Sequence, residues 1–400
     1  MTQKIPTRFF LDMVPIHLRN AGQHERLAWA EGKCFCVPGE LAGPLRRQGA
    51  LDARGNLTIP AELPEEVDQE IADVVLLAAA FTENPPLSSR LPFSYQRVPP
   101  RLRALAATCL GRLHAHRQAQ WAKFPGWPLD LSADFVADLL NVRPGSRTGR
   151  TPVILTHDLD SPEGVRNILK YFLQLEEKRG ARSVNFMVPH GRPLDHGALG
   201  EITARGHSLG IHGHDHSNLT PFASPEQKHR RLVDARETIR QYGILGYRAP
   251  SLLRTKALLS ALAEWYRYDS SIPTSGGLFP VPNNGCASAR PFFLDGLAEI
   301  PLSLPRDGSL RFLGHSPGRI AAMLIDCSEQ ISASGGVVMA LTHGEERFSG
   351  NPAMLNAYEL FLDHIACSDR FVFSTPEEIL SAPMRRVDDA WLDVSQKNNY

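Results

Sequence analysis

At 400 residues, with 42% hydrophobic and 22% charged residues, the chain has the composition of a globular protein of one large domain or two. Its 43 basic and 43 acidic side chains cancel, which excludes a broad positive field and argues against nucleic acid or an anionic membrane surface as partner. The first twenty residues, MTQKIPTRFFLDMVPIHLRN, break up their apolar residues with charged and polar ones, so a cytoplasmic protein with no transmembrane segment is expected.

From Met1 to about Arg150 the signals are weak. Phe9 to Ile16 has the character of a strand, and Glu65 to Ala80 and Leu102 to Ala122 have helical spacing, with the Pro-bearing stretch Asn84 to Pro100 between them. A helix capped by Ser132 and running to Leu140 leads into a polar linker, Arg143-Pro-Gly-Ser-Arg-Thr-Gly-Arg150. Residues 1–150 therefore form an α-rich N-terminal extension. Its His114-Ala-His116-Arg117 run is expected on a solvated helix face, with a docking or subunit surface as the functional alternative. The six cysteines (Cys34, Cys36, Cys109, Cys286, Cys327, Cys367) have no C-x-x-C spacing and are expected as small buried hydrophobes rather than a disulfide frame.

After Arg150 short apolar runs alternate with helical stretches, the signature of βα units. Strands are expected at Val153 to Thr156, Ser183 to Val188, His207 to His212, Leu245 to Ala249, Arg267 to Ser271, Glu299 to Leu304, Gly336 to Thr342 and Arg370 to Phe373; seven or eight of them suggest a barrel. Helices are expected at Gly164 to Arg179, Ser224 to Gln241 and Thr255 to Tyr266, and Thr375-Pro-Glu-Glu reads as the start of a last one. Residues 151–385 form this second unit, and 386–400 a tail.

The chemistry concentrates at strand ends. Ile154 to Pro162, ILTHDLDSP, carries a β-forming run into Asp158 and Asp160, and two carboxylates so close require a cation or a shared proton. Gly206 to Leu219, GHSLGIHGHDHSNL, places His212 and His216 four apart, on one side of a helical turn or on a strand end and the turn after it. Two histidines and one carboxylate make a facial metal site with open positions. His214 and His207 are expected to face solvent or to support a ligand from behind. Arg248, in Tyr247-Arg-Ala-Pro250, could fork onto a carboxylate, the bland alternative being a surface arginine before a turn. His343 ends the apolar run VVMALTHGEE; it suits a general acid, and a structural histidine is the alternative.

Taken in order, THDLDSP, HGHDH, YRAPS, YDSS and LTHGE resemble the motifs of the polysaccharide deacetylase family, the NodB homology domain of carbohydrate esterase family 4, over about Thr151 to Ala382. The resemblance implies the family's irregular (β/α) barrel. It also implies Asp158 as catalytic base, Asp160, His212 and His216 as metal ligands, Arg248 as the residue orienting the base, His343 as general acid, and the Ser251 N–H as donor to the oxyanion. Three departures stand out. Leu159 separates aspartates that are usually adjacent in the family, a form that also resembles intracellular-type deacetylases and allantoinase-like amidohydrolases. Ser251 replaces a frequent Tyr. The Trp and Asp of the fourth motif have no clean match, and Asp269 of YDSS is a poor substitute.

The activity implied is metal-dependent hydrolysis of an N-acetyl group on an amino sugar or polysaccharide precursor. Zinc is the first choice of metal, with iron, cobalt or nickel also suited to the ligand set. The expected partner is an N-acetylated carbohydrate, and an oligomer is compatible with the sequence. Other readings are an allantoinase-like or related C–N amidohydrolase, a non-haem iron oxygenase, which would have no use for Asp158 beside Arg248, and a catalytically silent sugar-binding protein, which should lack one of base, ligand or acid.

Overall fold

Strand β3 (Thr151–Leu159) is the spine of the molecule. In the computed structural model, which describes residues 149–276 and 284–387, the backbone of 24–28 and 34–38, and parts of 69–142, β3 lies between β10 (Val338–His343) and β4 (Ser183–Met187), parallel to both. The ladder continues in parallel through β5 (Ser208–His212), β6 (Gly246–Arg248), β7 (Tyr268–Asp269) and β9 (Leu297–Glu299). The chain after β9 then bridges back. Leu302 pairs with Pro273 on one side, and Leu304 N–H donates to the Met339 carbonyl of β10 at 3.1 Å on the other, which closes an irregular barrel. Strand β8 (Phe292–Leu294) forms an antiparallel hairpin with β9 through Asp295-Gly296, and β12 (Arg385–Val387) extends that branch. Strand β11 (Phe371–Phe373) pairs with the start of β3. A separate antiparallel hairpin joins β1 (His24–Ala28) and β2 (Cys34–Pro38).

The barrel expected from the alternating pattern is therefore present, with most strands close to the predicted positions; the exception is the expected strand Glu299 to Leu304, of which only Glu299 lies in β9 and Leu302 makes an isolated bridge. The expected helix Ser224 to Gln241 is two helices, Pro225–Val233 and Arg236–Tyr242. The expected strand Phe9 to Ile16 and the His114–Arg117 run lie outside the described residues. Of the cysteines, Cys286 and Cys327 are buried as expected, whereas Cys109 and Cys367 are exposed; all four are free thiols.

The strand period of two divides the core into two clusters. Ile154, Val184, Phe186, Ile300, Leu302, Met339 and Leu341, almost all strand or strand-edge residues, fill the barrel interior. Their sequence neighbours Val153, Leu155, Leu159, Ile211, Tyr247 and Val338 pack outward against Phe172, Tyr358 and Phe361 of the surrounding helices. Ala72, Leu76, Leu77, Leu129 and Leu131 join the outer cluster, so these described residues ahead of β3 pack onto the barrel. Buried Arg254 strengthens that junction by donating to the carbonyls of Ala80, at 2.6 Å, and Leu252, at 3.0 Å.

Five helices start the same way. Ser161, Ser224, Ser316, Asn351 and Thr375 each accept a backbone N–H from the first turn, and each is followed by proline. Proline at that position loses no hydrogen bond and already has the helical φ.

Candidate active site

The same parity that puts Ile154 inside the barrel puts Thr156, Asp158 and Asp160 on its inner side, and turns His157 outward. At the carboxyl ends of β3, β5, β6 and β10 the inward positions are Asp158, His212, Arg248 and His343, all buried. The four strands thus bring together residues up to 185 positions apart.

Arg248 organises the Asp158 side. Fully buried, it donates from one terminal nitrogen to Asp158 Oδ1 at 3.0 Å and to Thr156 Oγ1 at 2.9 Å. Its Nε donates to the Ser270 carbonyl at 3.2 Å, and its guanidinium lies 4.1 Å from the centre of the Phe186 ring. That stacking depends on Gly210, because a Cβ there would stand 2.4 Å from the Phe186 ring. Burial would raise the Asp158 carboxyl, but His212, Arg248 and His343 outweigh it and hold Asp158 below the ordinary carboxylate value.

Asp160, His212 and His216 converge as expected. His216 Nε2 lies 3.0 Å from Asp160 Oδ1 and His212 Nε2 lies 3.5 Å from it. The two rings stand edge to face, with centroids 4.9 Å apart. His212 ends β5 and His216 lies in the following turn, the second of the two predicted placements. The turn is tight: Gly213 takes φ +69 with Pro250 where a Cβ would sit, and His216 takes φ 55, a left-handed conformation uncommon for a non-glycine residue.

These three residues fit a divalent cation. The His212 Nδ1 faces the Arg248 carbonyl at 3.0 Å, and since a carbonyl only accepts, the proton sits on Nδ1 and the Nε2 lone pair points at the carboxylates. Asp160 Oδ1 is buried with the Nε2 atoms of His216 and His212 aimed at it, and one ligand atom from each of the three residues lies within 4.8 Å of the others. Two imidazole nitrogens and a carboxylate oxygen converging on one point are the donor set of a divalent cation.

On the opposite side, His343 Nε2 faces Asp158 Oδ2 at 3.9 Å and Asp160 Oδ2 at 4.0 Å. Its Nδ1 is 2.8 Å from Asp307 Oδ1, and its backbone N–H donates to Asp307 Oδ2 at 2.8 Å. Ser349 Oγ donates to the same Asp307 oxygen at 2.7 Å. Burial disfavours the imidazolium, but Asp307, joined by Asp160 and Asp158, outweighs it and lifts His343 to about 10. Phe348 covers the imidazole at 5.0 Å between ring centres.

Asp307 was not identified from the sequence. The signal was a lone Asp after Pro305-Arg306, opening the short helix Asp307–Phe312. Asp269, the poor match to the fourth motif, lies elsewhere: it accepts the Ser271 hydroxyl at 2.7 Å and shares a hydrogen bond with Glu299. Glu345, two residues after His343, was also passed over. It is buried, accepts the Ser161 hydroxyl, and is raised above the ordinary glutamate value by burial and by Asp160. Ser251 follows β6 in a left-handed conformation, φ 56. His207 does not face solvent. It is buried behind the barrel, 3.0 Å from the Ser183 N–H, which donates to its Nδ1.

The polysaccharide deacetylase family model matches residues 145–264, which hold every predicted site residue except His343. No curated protein matches. Among solved structures, a Mycobacterium smegmatis protein described as a polysaccharide deacetylase aligns at 18% identity over 61% of this chain and 96% of its own, with a TM-score of 0.47. PuuE allantoinase aligns at 14% identity over 59% and 91%, TM-score 0.45. A family 4 carbohydrate esterase from Streptomyces lividans, in complex with acetate, aligns at 13% identity over 60% and 100%, TM-score 0.39. By the family match, the segment 145–264 that carries the Asp-x-Asp pair, the two histidines and Arg248 belongs to the polysaccharide deacetylase family.

Proposed function

We propose that the protein is a metal-dependent hydrolase that removes an N-acetyl group from an amino sugar or polysaccharide precursor. The observation that carries this reading is the convergence, at one end of the barrel, of an arginine-held aspartate, a two-histidine-one-carboxylate set, and a histidine backed by its own aspartate.

Asp160, His212 and His216 would hold the ion, which when bound supplies a Lewis acid for the amide carbonyl and makes a water molecule more acidic. Asp158 is the general base: Arg248 fixes its Oδ1, leaving Oδ2 directed towards His212 and His343 to take the proton of the attacking water. His343 is the general acid. Asp307 holds its Nδ1, so Nε2 is the nitrogen that delivers a proton to the departing amine. The Ser251 N–H serves as donor to the oxyanion.

Zinc is the ion we propose, with a small cytoplasmic N-acetylated sugar, such as a nucleotide- or lipid-linked intermediate, as substrate. The exposed free thiols of Cys109 and Cys367 favour a reducing compartment. Among the described residues no helix is long and apolar enough to cross a membrane. The N-terminal region narrows access to the site, in support of which Ser88 accepts a hydrogen bond from Asn218, two residues after His216, at 2.8 Å. Acetate release from UDP-linked and short N-acetyl sugars, alongside chitin and peptidoglycan, tests the reading, together with cell fractionation. Turnover of small substrates by a cytoplasmic protein is expected. Turnover of polymer alone by an extracytoplasmic one would overturn the substrate assignment, and no acetate release from any of these substrates by the metal-loaded protein would overturn deacetylation.

A further inference from the structure

Beside the candidate active site stands a second histidine–carboxylate cluster that the proposed chemistry does not use. His190 follows β4, His214 lies between the two proposed ligands His212 and His216, and Asp234 sits at the junction of helices Pro225–Val233 and Arg236–Tyr242. One ligand atom from each lies within 4.8 Å of the others. The imidazole rings of His190 and His214 are 4.4 Å apart and tilted by 33°. His214 Nε2 is 3.1 Å from Asp234 Oδ2, and its Nδ1 faces the Asp215 carboxylate at 3.8 Å. The backbone fixes the pair, because His190 N–H donates to the His214 carbonyl at 3.0 Å.

One nitrogen in this cluster is unexplained. His190 Nε2 is shielded from solvent and has no hydrogen-bond partner, and His214 Nδ1 has nothing nearer than the Asp215 carboxylate at 3.8 Å. A shielded polar atom without a partner is costly, so one on a ring stacked beside a second imidazole and a carboxylate calls for an occupant. A purely structural histidine would hydrogen-bond through that atom or expose it.

We infer that His190, His214 and Asp234 form a second site for a borderline divalent transition ion, separate from the one at Asp160, His212 and His216. Imidazole and carboxylate donors suit zinc, nickel or copper, with affinity rising towards copper by the general order for nitrogen and oxygen ligands. Asp234 is exposed, so the site opens to water on one side and binds more weakly than the buried one. Occupancy ties the loops after β4 and β5 to the helix junction, and so steadies the turn that carries His212 and His216.

The test is a metal titration of the full chain. After chelator treatment and desalting, the protein is titrated with nickel or zinc and the bound ion is counted by elemental analysis. Two ions per chain are expected, the second with the weaker Kd. His190→Ala and the surface change Asp234→Asn should each lower the count to one, or weaken the second Kd by about tenfold or more. His216→Ala should also leave one, and His190→Ala combined with His216→Ala none. A wild-type count of one that His190→Ala leaves unchanged would overturn the second site. A count that falls with His190→Ala but not with His216→Ala would uphold this site and sink the first, so the two readings fail separately.

Discussion

Strand β3 carries two buried polar clusters on opposite faces, one residue apart, and they are built on different principles. Outward-facing His157 lies 2.7 Å from Glu176 Oε1 and 2.8 Å from Thr342 Oγ1, and Tyr358 donates to the same Glu176 oxygen at 2.8 Å. Every atom of the His157 ring able to hydrogen-bond has a partner, and the Phe172 ring packs edge-on at 5.3 Å. Inward-facing Asp158 is fixed on one oxygen by Arg248 at 3.0 Å, while its Oδ2 stands 3.5 Å from His212 and 3.9 Å from His343; Asp160 lies 3.0 Å from His216, 3.5 Å from His212 and 4.0 Å from His343. An imidazole paired on both nitrogens is held by the fold, whereas two carboxylates and three imidazoles gathered at one strand end are arranged for something that arrives.

The largest expected effect lies on the inner face. Asp158→Asn should keep the metal and the fold while turnover falls by about 10²–10⁴-fold, and His343→Ala should do the same; steady-state kinetics with parallel metal analysis would decide. Near-normal turnover in either variant would remove that residue from the mechanism. Next comes Arg248→Met, which leaves Asp158 buried beside no fixed cation. It should destabilise the protein by about 3–5 kcal/mol in denaturant unfolding and also depress turnover. A variant as stable as the parent would mean the guanidinium holds nothing in place.

On the outer face the order reverses, with stability affected and turnover spared. Glu176→Gln should cost about 1–3 kcal/mol with kcat within a few-fold of the parent. Burial opposes the Glu176 carboxylate, but His157, Ser183 and Tyr358 outweigh it and bring the group below its ordinary 4.5. A lowered folded-state value means its contribution is complete above about pH 4.5 and is lost as pH falls through the lower folded value. Acid unfolding curves of the Gln variant should therefore be flatter in that window, and an unchanged acid limb would show that the pair does not couple to folding.

The smallest effect expected is at Gly210, where an alanine pushes into the Phe186 ring. About 1–3 kcal/mol of destabilisation is expected, with a modest fall in turnover as Phe186 shifts against Arg248. Full activity and stability would show that the stacked ring is free to move.

Much of this was legible in the sequence because the chemistry sits on strands, where the period of two fixes facing. Asp158 and Asp160 are two apart and share a face; His212, Arg248 and His343 each end an apolar run. Residues that act through loops or short helices were not legible. Asp307 meets His343 from a six-residue helix across 36 positions, and no local periodicity links them. The Asp295-Gly296 hairpin turn and the cap-proline starts Ser161-Pro162, Ser316-Pro317 and Asn351-Pro352 carry local signals that a reading by long periodic runs leaves out. The burial of His207 depends on helix residue Glu177, 30 positions earlier, which lies 3.2 Å from its Nε2.

The most direct test is a crystal structure with the native metal and acetate. The ion should rest on Asp160, His212 and His216, with acetate lying between Asp158 and His343 and Asp158 still paired to Arg248. An ion bound by Asp158 in place of Asp160, or acetate bound away from His343, would contradict the assignment of base, ligands and acid.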